Sequence, residues 1–82
     1  MISPRQIRAA RALLGWSQQE LADKAIVSLN ALARLESGKV DSRTSTLQAI
    51  EAALVKAGVE FLPAGQKGVG VRLVDPNGDG PA

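Results

Sequence analysis

The stretch WSQQELADKAIVSLNALARLESG, residues 16–38, predicts two short helices joined by a tight turn. Ser17 stands three residues before Glu20, the spacing of a capping box in which each side chain accepts a hydrogen bond from the other residue's backbone N–H. Ser28 offers a second N-cap, and Gly38 can adopt the left-handed conformation that ends a helix. The segment therefore carries start and stop signals for two consecutive helices.

Similar signals define a helix before this segment. Ser3 precedes Pro4, which suits the first helical position because it has no N–H to leave unpaired, and Gly15 can end the helix. The apolar residues that repeat at helical spacing, and that we expect to face inward, are Ile7, Ala10, Leu13 and Leu14. The arginines that we expect to be largely solvated are Arg5, Arg8 and Arg11.

The sequence after residue 38 predicts one further helix. After that helix, the spacing of the apolar residues changes from a helical to a strand-like pattern. Ser45 and Gln48 have the spacing of another capping box, and Gly58 can cap the far end of that helix. Residues 59–62 and 69–73 are rich in β-favouring side chains, and a loop-like stretch separates them. We therefore predict a mainly α fold, in which four helices are followed by a short C-terminal β-hairpin.

These patterns divide the chain into three parts. Residues 1–58 are predicted to form the helical domain, residues 59–74 the hairpin, and residues 75–82 a disordered tail without large apolar side chains. An isolated two-stranded ribbon is only marginally stable in water. The hairpin should therefore pack on the helices, pair with another chain, or do both.

The composition excludes several classes of function. The chain of 82 residues has no cysteine and no histidine, which removes disulfides, thiolate metal sites and the usual proton shuttle at neutral pH. It also lacks a glycine-rich phosphate loop, so we predict no enzyme, no catalytic residue, no metal and no cofactor. No apolar run approaches the roughly 18 residues that span a bilayer. We expect a cytoplasmic protein of bacterial type, with no membrane partner.

The charge of the chain is small but unevenly placed. The formal net charge is only +2. The basic residues of the first half are Arg5, Arg8, Arg11, Lys24, Arg34, Lys39 and Arg43. A basic half that also contains two short capped helices suggests a polyanionic partner.

The opening segment resembles the helix-turn-helix of phage-repressor and Cro-like regulators, the XRE-type family. The family's usual pattern is Q-x-x-L-A, a turn, Ser or Thr, an aliphatic residue, and then Glu and Gly. The residues that carry the resemblance are Gln18, Leu21, Ala22, Ser28, Leu32, Leu35, Glu36 and Gly38. The resemblance extends from residue 2 to about residue 57 and implies a λ-repressor-like four-helix domain that binds double-stranded DNA.

The turn of the motif departs from the family pattern at one position. Where the family usually has Gly, this chain has Ile26, and a β-branched residue resists the left-handed backbone conformation. Two outcomes are open: positive φ at Ile26 would indicate strain, and negative φ would indicate a changed turn. We favour a small backbone adjustment over loss of the motif.

Helical spacing assigns opposite faces to the second helix of the motif. Leu32 and Leu35 should point to the core, which leaves the other side for the major groove. The candidate base-contacting residues are Leu29, Asn30, Ala33 and Arg34. An Asn side chain matches the edge of adenine, and an Arg side chain can form a bidentate pair with guanine. The alternatives are a surface salt bridge for Arg34 and ordinary solvation for Asn30.

Other polar residues are candidates for contacts with the DNA backbone. Gln18 begins a helix, where free N–H groups and the positive end of the dipole favour a phosphate. The resemblance implies a second phosphate-contacting cluster after the recognition helix. The full set of candidates is Ser17, Gln18, Gln19, Ser28, Ser37, Lys39 and Arg43. The resemblance also implies a buried Glu36, and Arg11 is its candidate partner.

The leading hypothesis is a homodimeric transcriptional regulator that binds a palindromic operator. A two-fold dimer presents two recognition helices about 34 Å apart, which matches one turn of DNA. The dimerisation residues would be the apolar ones of the hairpin, Val59, Phe61, Val69, Val71 and Leu73. The alternative is an antitoxin-like or adaptor module that binds a protein partner by adding a strand to the hairpin.

Overall fold

The computed structural model describes residues 2–38, 44–63, 65 and 68–74. The described elements are four helices followed by a two-stranded antiparallel hairpin, as the sequence predicts. Their bounds are α1 (Pro4–Leu14), α2 (Gln18–Ala25), α3 (Leu29–Ser37), α4 (Thr44–Lys56), β1 (Val59–Leu62) and β2 (Gly70–Leu73). The predicted tail, residues 75–82, lies outside the described residues.

Local capping signals set the ends of the first three helices. Ser3, Ser17 and Ser28 each accept a hydrogen bond from the third helical residue, and the first two belong to complete capping boxes. Gly15 and Gly38 end α1 and α3 in the left-handed conformation. The fourth predicted N-cap is wrong: α4 begins at Thr44, so Ser45 is its second helical residue and not the residue before the helix.

The core is made of aliphatic side chains from all four helices and from β1. Its largest fully buried members are Ile7, Leu21, Leu32, Ile50 and Leu54. Leu13, which we expected to face inward, is exposed, whereas its neighbour Leu14 packs against the core. Consecutive helical residues point about 100° apart, so the packing of Leu14 turns Leu13 outward.

The hairpin packs on the helical core through alternate residues. Its register pairs Val59 with Leu73 and Phe61 with Val71. Val59 is buried, and Phe61 and Val71 are partly buried against the core. The helices therefore supply the support that a two-stranded ribbon needs in water.

The side chain of Gln6 attaches the hairpin to α1. Its Oε1 accepts from the N–H of Ser3 at 2.9 Å, which completes the capping box. Its Nε2 donates to the carbonyl oxygens of Leu62 and Gly70, at 3.1 and 3.0 Å. One buried amide thus fixes the start of α1 and holds both strands over that helix.

The turn between α2 and α3 keeps the left-handed geometry that the family's glycine provides. Ile26 has φ 58° and ψ 49°, and among the described residues it is the only one other than glycine with positive φ. Its N–H donates to the carbonyl oxygen of Asp23 at 3.3 Å, and the next N–H, of Val27, donates to that of Ala22 at 3.0 Å. The turn is therefore preserved at the cost of backbone strain, the first of the two outcomes left open above.

Replacement of Ile26 by glycine is expected to raise the free energy of unfolding by about 0.5–1 kcal/mol, because relief of the strain exceeds the entropic cost of glycine. The Ile26 side chain is 91% exposed, so its removal costs little packing. Urea denaturation followed by circular dichroism would measure the change. Ile26→Val, which keeps the β-branch, should leave stability unchanged, and a loss of stability in Ile26→Gly would contradict the assignment of strain.

Candidate nucleic-acid interface

The two sides of α3 have opposite chemistry. Leu32 and Leu35 are buried in the core, and so is Glu36. The outward side carries exposed Leu29, Asn30, Arg34 and Ser37, with the partly buried Ala33 between them. The structure thus places all four predicted base-contacting residues on one continuous side of this helix.

The side chains of Asn30 and Arg34 on this side of α3 are available for new hydrogen bonds. Within the described part of the chain, Asn30 and Arg34 have no ion pair or side-chain hydrogen bond. The surface salt bridge considered for Arg34 is therefore not formed among those residues. The Ser37 hydroxyl donates to the carbonyl oxygen of Arg34 at 2.8 Å, and this bond uses the backbone of Arg34 and not its guanidinium.

The side chain of Gln18 connects the N-terminus of α2 to α3. Its Nε2 donates to Glu36 Oε1 at 3.1 Å, and the residue is half buried. An amide nitrogen has two hydrogens, so one N–H remains for an external acceptor. Ser17 caps the helix, and Gln19 Nε2 donates to Asp23 Oδ1 at 2.9 Å. Of these three candidates, Gln18 is the one held by a buried group.

That buried group is the carboxylate of Glu36, whose side chain is 3% exposed. Arg11 donates to it through two nitrogens, from Nε to Oε2 at 2.8 Å and from Nη2 to Oε1 at 2.9 Å. The hydrogen bond from Arg11 to Glu36, together with the negative charge, raises the pKa of the Arg11 guanidinium above its ordinary value, and burial opposes the shift. The predicted pairing of these two residues is confirmed.

The same contacts correct the expectation that the guanidinium of Arg11 is largely solvated, whereas Arg5 and Arg8 are exposed as expected. Arg11 is largely covered, and its third donor, Nη1, reaches the carbonyl oxygen of Trp16 at 3.0 Å. Arg8 is exposed, yet its Nη1 donates to the backbone carbonyl oxygen of Glu36 near the end of α3. The end of α3 leaves carbonyl oxygens without helical partners, and an arginine on the adjacent helix satisfies one of them. Both arginines thus fix α3 against α1.

The hydrogen bond between Gln18 and Glu36 was not predicted from the sequence. The capping pattern assigned Gln18 only to the first position of α2, whereas the structure ties it to a residue 18 positions later. The available signal was the buried acid: a carboxylate with several acceptor sites needs more than one donor, and Gln18 is a nearby polar residue of the same motif.

The remaining predicted phosphate-contacting residues are described only in part. Ser28 is an exposed N-cap whose hydroxyl oxygen accepts from the N–H of Ala31 at 3.0 Å. Ser37 is exposed at the end of α3. Lys39 and Arg43 lie outside the described residues.

The predicted dimerisation residues have different environments. Val59 is only 3% exposed, so its side chain is not available to a partner, which corrects its place in that set. Phe61 and Val71 are partly buried against the core. Val69 and Leu73 are 53% and 42% exposed. The surface that the hairpin offers is therefore centred on β2 and not on β1.

The described part of the chain contains no cluster of acidic residues that could hold a metal ion. None of the described helices has the length and apolar character required to cross a membrane.

A search of curated proteins found no significant match. A family model described as helix-turn-helix matches residues 7–54, more than half of the chain, and this range contains all of α2 and α3 and most of α1 and α4. The chain belongs to the helix-turn-helix family of Cro- and λ-repressor-like DNA-binding regulators.

Proposed function

We propose that this protein is a homodimeric transcriptional regulator that binds a palindromic operator in double-stranded DNA, with α3 in the major groove. The observation that carries the proposal is the outward side of α3, where the side chains of Asn30 and Arg34 make no hydrogen bond to a described residue. The family to which the chain belongs binds DNA and is not an enzyme family. The bacterial cytoplasm, where DNA is directly accessible, is the setting that fits this activity.

The side chains of α3 suit direct reading of base pairs. Arg34 can donate two hydrogen bonds to the O6 and N7 atoms of guanine, and Asn30 can donate to and accept from adenine. Leu29, at the start of the helix, is exposed and can contact the methyl group of thymine. Ala33 is small, which allows the helix backbone to approach the floor of the groove.

The N-terminus of α2 suits a phosphate of the DNA backbone. The free N–H of Gln18 Nε2 is held in place by Glu36, so little side-chain entropy is lost on binding. The first-turn N–H groups, the helix dipole and the side chains of Ser17 and Gln19 add further attraction. Ser28, Ser37, Lys39 and Arg43 complete the proposed set of phosphate contacts, which position the protein without reading sequence.

Two copies are needed to span an operator. One copy of α3 reaches a single half-site and makes few phosphate contacts, whereas a two-fold dimer presents two recognition helices about 34 Å apart. The expected consequence is a palindromic binding sequence, because the symmetry of the operator follows the symmetry of the protein.

Selection of bound duplexes from a random pool tests this proposal. We expect a palindromic consensus whose half-sites are centred about 10 base pairs apart. Affinity for the selected duplex should fall steeply as salt increases, because phosphate contacts release condensed counterions. Recovery of no enriched sequence, or an affinity that does not change with salt, would contradict sequence-specific DNA binding. Enrichment of single, unpaired half-sites would contradict the dimer alone.

A further inference from the structure

A cavity of about 350 Å³ lies between α2 and α4, and none of the proposed DNA-contacting residues lines it. We call it the α2–α4 cleft. Its lining residues are Trp16, Lys24, Ala53, Lys56 and Ala57. Ligand sites in proteins have volumes of roughly 300–1,000 Å³, so a cavity at the lower end of this range suits a molecule of about one ring.

The two lysines of the α2–α4 cleft are available to an external anion. Lys24 and Lys56 are exposed, and neither forms an ion pair within the described part of the chain. The acidic residue closest to them along α2 is Glu20, one helical turn before Lys24. Its carboxylate accepts from the N–H of Ser17 at 3.0 Å, at the positive end of the helix.

The helix ends beside the cleft do not cancel the charge of these lysines. Lys24 lies in the last turn of α2 and Lys56 in the last turn of α4. The carbonyl oxygens at the end of a helix are equivalent to about half a negative charge. Two ammonium groups therefore exceed the two helix ends by about one positive charge. The cleft thus matches a ligand with a single negative charge.

The remaining lining of the cleft suits an aromatic ring. Lys24 Nζ lies 5.9 Å from the centroid of the Trp16 ring, within the distance of a cation–π contact. Trp16 is partly buried against the core, and its indole N–H has no hydrogen-bond partner among the described residues. Ala53 and Ala57 add small apolar surfaces. A planar ligand can pack against these groups while its charge meets the lysines.

Neighbouring cavities along the hairpin have the opposite charge. Glu51 lines two of them, and Glu60 lines the second as well. Lys56 also reaches that second cavity, where the two carboxylates outnumber it. An anion that enters either cavity meets a like charge, so it is directed to the α2–α4 cleft.

We infer that the α2–α4 cleft binds a small aromatic carboxylate. The carboxylate accepts hydrogen bonds from the ammonium groups of Lys24 and Lys56, and the ring packs against Trp16 and the two alanines. This site goes beyond the proposed function and does not depend on DNA binding, so either proposal can fail while the other stands.

Titration of the full-length protein with benzoate tests the inference. The chain has a single tryptophan, so its indole N–H gives one signal in a ¹H–¹⁵N correlation spectrum. We expect this signal to shift and saturate with a Kd of about 10 mM or tighter, a value that nine non-hydrogen atoms reach even at low ligand efficiency. Sodium chloride keeps the ionic strength constant, because salt screens an exposed ion pair.

Two probes separate the charge from the ring. Benzamide has the shape and size of benzoate without its charge, and acetate has the charge without the ring. Both should bind more weakly than benzoate. Equal affinity for benzoate and benzamide would overturn the role of the lysines, and equal affinity for benzoate and acetate would overturn the role of Trp16.

Substitutions locate the site. Lys24→Gln and Lys56→Gln should each raise the Kd for benzoate about threefold, and the double variant about tenfold, as expected for exposed ion pairs. Arg5→Gln removes the same charge from an exposed position on α1 and should leave the Kd unchanged. An unchanged Kd in the double variant would place the anion elsewhere and overturn the inference.

A DNA phosphate is the competing occupant of the cleft. If the wild-type protein shows no saturation by about 30 mM benzoate, the inference is overturned. Weaker binding of duplex DNA by the double variant in that case would assign the two lysines to phosphate contacts.

Discussion

Replacement of Arg11 by methionine is expected to lower the free energy of unfolding by about 3–5 kcal/mol, the usual cost of removing one partner from a buried ion pair. The Glu36 carboxylate is 3% exposed and receives two hydrogen bonds from Arg11. Methionine preserves much of the apolar stem but leaves the carboxylate with Gln18 as its only described side-chain donor. Urea denaturation followed by circular dichroism would measure the loss.

Two further variants show whether the buried charge causes this loss. Arg5→Met removes an exposed arginine from the same helix and should change stability by less than about 0.5 kcal/mol. The double variant Arg11→Met with Glu36→Leu should recover much of the lost stability, because it removes the unpaired charge as well. A loss below about 1 kcal/mol in Arg11→Met would mean that the pair behaves like an exposed surface salt bridge.

The helices were predictable because their boundaries depend on residues only a few positions apart. Ser3 with Gln6 and Ser17 with Glu20 form the capping boxes that their spacing predicts. The hairpin was predictable for a similar reason, since the change to a period of two in 69–73 is local. These signals depend little on how distant parts of the chain meet.

Contacts between distant residues were not predictable in the same way. Gln6 donates to carbonyl oxygens 56 and 64 positions later, and no local pattern distinguishes this amide from a capping residue alone. The exposure of Leu13 was not predictable either, because helical spacing placed both Leu13 and Leu14 on the apolar face, and only the packing of α1 shows that Leu14 meets the core and Leu13 does not.

The geometry of the candidate DNA-binding site depends both on local helical spacing and on contacts between distant residues. Helical spacing alone predicted that Leu32 and Leu35 face the core and that Asn30 and Arg34 face outward, and the structure confirms these placements. The role of these side chains in reading bases stays a prediction. The hydrogen bond from Gln18 to the carboxylate of Glu36 was not predicted, because it requires α1, α2 and α3 to meet at one buried acidic side chain.

Replacement of Arg34 by alanine is expected to weaken binding to the selected operator by about 1–3 kcal/mol for each half-site, the value of a bidentate contact with guanine. Loss of one cation lowers binding to every sequence as well, so the informative quantity is the ratio between operator and unrelated duplex. Titration of both duplexes at fixed salt would measure it. Lys56→Ala removes a similar charge from the end of α4 and should leave the ratio unchanged.

A change in the DNA identifies the base that Arg34 reads. If its guanidinium donates to guanine N7, replacing that guanine by 7-deazaguanine should weaken the wild-type complex but not the Arg34→Ala complex, because the variant has no contact left to lose. Each guanine of the selected half-site can be replaced in turn. Equal losses of affinity in the wild-type and Arg34→Ala proteins at every guanine would contradict base reading by Arg34. If Arg34→Ala leaves the ratio between operator and unrelated duplex unchanged, other residues of α3 read the bases.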